Sequence, residues 1–158
     1  GITYPELLKK LAEMAAKLLL ETIPKWIGGK IKPKKQNHNQ ATFTKILFKE
    51  NGKINWRKSA EVLEKEIRAF NPWPGNYAIW ENKGKLIKIK VLKARVLKFP
   101  NKSKNPVGKV LVVPQNEIGV QCGKYFLVIE KLQMEGKEEI MADNFLRGHM
   151  DFIGTILK

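Results

Sequence analysis

Cysteine is almost absent from this chain: its 158 residues hold one, Cys122. That excludes an internal disulfide framework and a zinc site built from cysteines. Histidine is nearly as scarce, and His38 and His149 stand far apart, so no metal-ligand cluster is visible. Acid is short as well, with 15 Asp and Glu against 30 Lys and Arg. No apolar run is long enough to span a bilayer, and the first residues carry no signal-peptide pattern. A soluble cytoplasmic protein is the simplest reading. A start on Gly1, with no methionine, is consistent with a cut or engineered N-terminus. Hydrophobic content of 43% is enough for a core, and the length suits one ordinary domain plus an appendage. The net charge of +15 and a pI near 9.9 suggest a polyanionic partner.

The charge is unevenly spread. Lys85, Lys88, Lys90, Lys93, Arg95, Lys98, Lys102, Lys104 and Lys109 follow one another with no acid among them. Ten bases between Lys25 and Lys58 face only Glu50. From Glu117 to Lys158 the balance reverses, with seven acids and five bases. An exposed strand face made only of Lys and Arg repels itself, and a phosphate backbone laid across it releases counterions. The competing reading is a generally lysine-rich surface whose lysines guard strands against edge pairing.

Along the chain, Pro5 to Ile23 reads as a helix. Leu7, Leu8, Leu11, Met14, Ala15, Leu18, Leu19 and Ile23 form a broad apolar stripe, Pro24 is expected to stop it, and Gly28-Gly29 breaks the chain beyond. The stripe needs a partner surface, and self-association through Leu7, Leu11 and Leu18 is one outcome. A membrane-surface helix is disfavoured, since the polar face mixes both signs of charge. Lys30 to Gln40, with Lys30, Lys32, Lys34 and Lys35 and no acid, is either a solvated connector or a basic strap on phosphate. Asn37-His38-Asn39 lies inside it and is assigned no chemistry. Thr42 to Phe48 reads as a short extended segment, and Asn51-Gly52 as a turn.

Ser59 to Phe70 reads as a second helix, with Ser59 as N-cap and Ala60, Leu63, Ile67 and Phe70 on one face. Asn71-Pro72 ends it. Arg68, Phe70, Asn71, Pro72, Trp73 and Pro74 form a rigid corner between helix and sheet, with Arg68 pairing Glu64 or reaching across a domain junction. Beyond it, strands are expected at Tyr77–Trp80, Lys85–Phe99, Val107–Val113, Ile118–Cys122 and Tyr125–Leu132, with one helical turn over Ala142–Arg147. In the long strand Ile87, Ile89 and Val91 alternate with lysines, after which Leu92, Ala94 and Val96 take up the opposite phase. A β-bulge absorbs such a slip. Five strands at this spacing predict a mainly β fold with a helical lead-in: an OB-like Greek-key barrel. Asn101 to Pro106 reads as an exposed loop. Trp56, Trp73 and Trp80 are assigned to the core, Trp26 is left open between core and base stacking, and Cys122 is expected as a small core residue.

Ile54-Asn55-Trp56 together with Ile67-Arg68-Ala69-Phe70-Asn71-Pro72-Trp73-Pro74-Gly75 resembles the start of the C-terminal domain of the methionyl-tRNA formyltransferase family. Leu19 to Pro24, Gln40 to Phe43, Leu86 to Ile89 with Lys93-Ala94, and Ala142 to Gly148 resemble neighbouring parts of it, so the resemblance covers nearly the whole chain. The family usually has an acid where Asn55 stands, a departure expected to affect local capping. The resemblance implies three parts: 1–29, a helix left over from the catalytic domain; 30–43, a basic linker; and 44–158, an OB-like tRNA-binding domain. It implies a parent enzyme that formylates methionyl initiator tRNA with 10-formyltetrahydrofolate as substrate. The family's catalytic Asn, His and Asp and its folate loop have no match here, so neither catalytic nor cofactor-binding residues are expected. The partners implied are initiator tRNA and the catalytic domain of the same chain. Contact with tRNA is expected at Lys30, Lys32, Lys34, Lys35, Lys85, Lys88, Lys90, Lys93, Arg95 and Lys98, by phosphate rather than base. A stand-alone OB-type nucleic-acid-binding protein, the C-terminal domain of another formyl-folate enzyme, and a scaffold with incidental charge stay open as alternatives.

Overall fold

The computed structural model describes residues 1–99 and 105–158, so the expected loop residues Asn101, Lys102, Ser103 and Lys104 lie outside the described residues. The chain divides into two compact units, residues 2–47 and residues 48–158 with Gly1.

In the first unit, helix α1 spans Tyr4–Ile27. Glu6 accepts hydrogen bonds from the backbone N–H and the hydroxyl of Thr3, at 2.8 and 2.7 Å, and these hold its carboxyl below the ordinary range. Contrary to the expectation from sequence, Pro24 does not end the helix; it lies in the last turn. The stop comes from Gly28-Gly29. Gly29 adopts φ 66°, Lys30 N–H donates to Lys25 O and Gly29 N–H to Trp26 O, a Schellman-type cap that glycine makes accessible. The apolar stripe is present, and no residue of α1 is buried. Beyond it the backbone is irregular except for a 3₁₀ turn, His38–Gln40, where Asn37 Oδ1 accepts from Asn39 N–H at 3.1 Å.

The second unit is organised by helix α2, Ala60–Phe70, and a six-stranded antiparallel sheet. The strands are β1 (Asn76–Asn82), β2 (Lys85–Leu97), β3 (Val110–Val113), β4 (Glu117–Gln121), β5 (Phe126–Met134) and β6 (Glu139–Met141). Their order is β1-β2-β5-β4-β3. One edge of β5 is shared, with β4 on Phe126 to Ile129 and β6 on Lys131 to Gln133. The strand β6 was not expected. Helix α3, Ala142–Gly148, follows it directly where a helical turn was expected. The sheet curls into a half-barrel, and the last residues run between its edges. Val110 N–H donates to Thr155 O at 2.9 Å, Leu157 N–H to Gly108 O at 2.9 Å, and Ile79 N–H to Lys158 O at 2.8 Å.

The slip in β2 falls where the sequence places it. Val91 pairs with Leu132, Lys93 with Lys131 and Ala94 with Ile129. Leu92 and Glu130 are both left out of the ladder, so the register is the same on either side. The expected single bulge is therefore matched on β5, and both strands keep facing one core. That core contains Ile89, Val91, Leu127, Ile129 and Leu132 of the sheet, Ala60, Leu63 and Ile67 of α2, Phe145, and Leu157. Trp80 sits fully buried in its middle, edge-on to Phe152 at 5.1 Å and to Phe145 at 6.1 Å. Apolar area removed from water supplies the main driving force, at roughly 25 cal/mol per Å².

Ser59 caps α2 as expected, its hydroxyl accepting from Val62 N–H at 3.4 Å. Three of the expected apolar residues are buried, while Phe70 is half-buried. Asn55 does act locally, its side-chain oxygen accepting from Arg57 N–H at 3.1 Å. The corner is closed by Gly75 N–H donating to Phe70 O at 2.8 Å, and the Asn71–Pro72 and Trp73–Pro74 bonds are cis. Trp73 corrects the sequence reading: it is 57% exposed, because the turn that fixes its backbone aims the ring outward. Trp56 and Trp80 are core residues, as expected.

Candidate nucleic-acid interface

Strand β2 sets the geometry. Antiparallel pairing places Tyr77 opposite Lys90 and Ile79 opposite Lys88, so Lys88 and Lys90 share the outward face with two β1 residues. Lys88 Nζ lies 3.9 Å from the centroid of the Tyr77 ring. That cation–π contact holds the ammonium in place without cancelling its charge. On the other side Lys90 pairs with Gln133 of β5. Lys85 sits at the hairpin end of the strand, on the parity of buried Ile89, and is exposed there because the core has run out.

Past the slip the outward face carries Lys93 and Arg95, and here acids meet them. Lys93 Nζ is 2.9 Å from Glu130, and the Arg95 guanidinium pairs with Glu117 and lies 3.6 Å from Glu130. Lys98 approaches Glu61 of α2 at 3.9 Å. The sequence run without acids is thus matched, in space, by acids from β4, β5 and α2. Among the described residues no carboxylate pairs with Lys85, Lys88 or Lys90. Sequence reasoning missed this division, because it depends on which strand lies beside β2 and in what register.

Lys49 was not among the expected contacts. It opens a 3₁₀ turn, Lys49–Gly52, and lines a depression of about 200 Å³ together with Lys88, Lys90, Gln133, Met134, Glu135 and Gly136. Its place follows from tight backbone packing. Ile54 N–H donates to Tyr77 O at 2.8 Å, and Gly52 lies against the carbonyl of Gly75. The base Lys49 was readable in the sequence; its neighbours were not.

Lys30, Lys32, Lys34 and Lys35 are exposed on irregular backbone in the first unit, next to the cap of α1. Arg68 forms a two-pronged pair with Glu64, Nε to Oε1 at 2.5 Å and Nη2 to Oε2 at 3.1 Å, which raises its already high pKa. The helix-surface pairing considered for it is therefore present. Asn71 and Pro74 are half-buried and Pro72 is exposed. Cys122 is buried in the core, and burial pushes its thiol up to about 12. Trp26, left open between core and base stacking, is exposed, as are Trp73 and Phe99.

Fold and site together define a curled antiparallel β domain, preceded in the chain by a helix, with lysines on one outward strand face that pair with no carboxylate among the described residues. The chain belongs to the formyl transferase, C-terminal domain family, whose model matches residues 46–150. It is 35% identical over 157 residues to the methionyl-tRNA formyltransferase of Pseudoalteromonas translucida, covering 98% of this chain and 48% of that protein. It is 39% identical over 150 residues to that of Caldanaerobacter subterraneus, covering 94% and 46%. With that of Rickettsia bellii it shares 37% over 147 residues, covering 93% and 45%. The chain spans about half the length of the curated relatives it matches, and the resemblance seen in the sequence is borne out. A solved structure of HypX from Aquifex aeolicus shares the fold, with a TM-score of 0.57 at 14% identity, covering 88% of this chain and 24% of that one.

Proposed function

We propose that this chain is the tRNA-holding part of a methionyl-tRNA formyltransferase acting in translation initiation in the cytoplasm. Its second unit is an OB-like Greek-key barrel, closed by the residue 154–158 tail, that lays Lys85, Lys88 and Lys90 of β2 on tRNA phosphates, while Lys30, Lys32, Lys34 and Lys35 strap the same backbone. The observation that carries this reading is the conjunction of methionyl-tRNA formyltransferase relatives with runs of lysine that exclude acid. Formyl transfer from 10-formyltetrahydrofolate to the methionyl amino group belongs to a catalytic domain in the same protein, and no residue here is assigned to that chemistry. The exposed stripe of α1 is the surface that such a domain covers. Lysine is a point charge without the planar fork of arginine, so contact of this kind follows phosphate and shape rather than base identity.

The test is a titration of the chain with initiator tRNA, an elongator tRNA and a mixed-sequence duplex at several salt concentrations. Micromolar binding that falls steeply with salt and barely separates the two tRNAs is the expected result. No binding at low salt would remove the phosphate-holding role, and formyl transfer by the chain alone would contradict the division of labour.

A further inference from the structure

The basic residues of the second unit differ in what faces them. Lys93, Arg95 and Lys98 are each held by a carboxylate from a neighbouring element. A phosphate arriving there must displace Glu130, Glu117 or Glu61. Lys49, Lys88 and Lys90 instead line one depression with no ion pair formed among the described residues. Glu135 is the single acid in its wall. Its backbone N–H donates to Lys88 O at 2.9 Å, which fixes that wall to the strand. The Tyr77 ring supports the Lys88 ammonium from one side. Three lysines against one glutamate give the depression a lining of net positive charge.

We infer that a single backbone phosphate of the bound RNA seats in the Lys49–Lys88–Lys90 depression, and that Lys93, Arg95 and Lys98 tie β2 to its neighbours instead of holding RNA. The inference deepens the tRNA-holding function proposed above and rests on it. It places the RNA track on the N-terminal half of β2, where the strand pairs with β1, and not along the whole strand.

Two probes separate the site from the reading it rests on. In tRNA titrations of the 158-residue chain, the triple variant K49A/K88A/K90A is expected to bind about tenfold more weakly, with the salt slope reduced by about 0.7–0.9 for the one lost phosphate. The triple variant K93A/R95A/K98A is expected to stay within about twofold of the parent, and Glu135→Gln to bind about twofold more tightly, because a repelling charge is gone. Thermal melts confirm that each variant folds. Inorganic pyrophosphate, followed by amide NMR, is expected to shift Lys88, Lys90, Glu135 and Gly136. Equal losses from both triple variants would overturn the inference and leave tRNA holding intact. Pyrophosphate shifts without tRNA binding would overturn the RNA assignment while keeping an anion site, and absence of both would overturn site and reading together.

Discussion

At the scale of single residues, the corner depends on an absent side chain more than on its large one. A Cβ added to Gly52 would lie 2.0 Å from the carbonyl oxygen of Gly75. Both partners are backbone, so no rotamer change relieves the contact. Gly52→Ala is therefore expected to cost about 2–4 kcal/mol, at the upper end of overpacking effects, and to loosen the turn that carries Lys49. Trp73, which looks like the anchor of the corner, is mostly in solvent, and its replacement by alanine should leave stability nearly unchanged. Urea unfolding of the two variants measures both. A Gly52→Ala variant as stable as the parent would show that the turn can shift away from the corner.

At the scale of elements, the tail is the least obvious part of the fold. Leu157 is buried in the main core, while its flanking backbone bonds β3 on one side and β1 on the other. Lys158 also pairs with Glu81 at 2.7 Å, and this holds the Glu81 carboxyl below the ordinary range. Leu157→Ala should cost about 2–4 kcal/mol. Its signature is local: amide exchange should accelerate most at Ile79 and Val110, whose N–H groups bond the tail, and less at Leu132 in the sheet centre. Uniform acceleration would mean that the tail never opens separately. Some elements were legible in advance because local pattern decides them. Ser59 and the apolar spacing after it specify α2, and the phase change at Leu92 specifies the slip. Others rest on partners remote in sequence. Glu139-Ile140-Met141 is too short to show a period, and becomes a strand only because β5 offers it an edge. Pro24 reads as a stop, yet in a last turn its missing N–H removes one bond, and the glycine pair beyond decides the end. The basic residues of the candidate site were visible, but the glutamates that pin Lys93, Arg95 and Lys98 come from β4, β5 and α2.

For the whole molecule, the governing fact is a large apolar stripe beside a large positive charge. Leu7, Leu11 and Leu18 of α1 are all exposed, as are Leu8, Met14, Leu19 and Ile23. Burying such a stripe is worth several kcal/mol, since a Leu side chain alone gains about 1.5–3 kcal/mol on full burial. Charge opposes this: at +15, two copies repel, and the repulsion weakens as salt shortens the screening length from about 30 Å at 0.01 M to about 8 Å at 0.15 M. The chain by itself is therefore expected to associate through α1 increasingly as salt rises, while the tRNA binding proposed for it weakens over the same range. Sedimentation equilibrium at low and physiological salt checks the first trend. Leu11→Glu with Leu18→Glu should keep the chain monomeric at both, and leave the salt slope of tRNA binding as in the parent. Association that persists in that variant would place the contact on the sheet unit. Monomers throughout, with the native stripe intact, would mean that charge repulsion outweighs the apolar gain in the chain by itself.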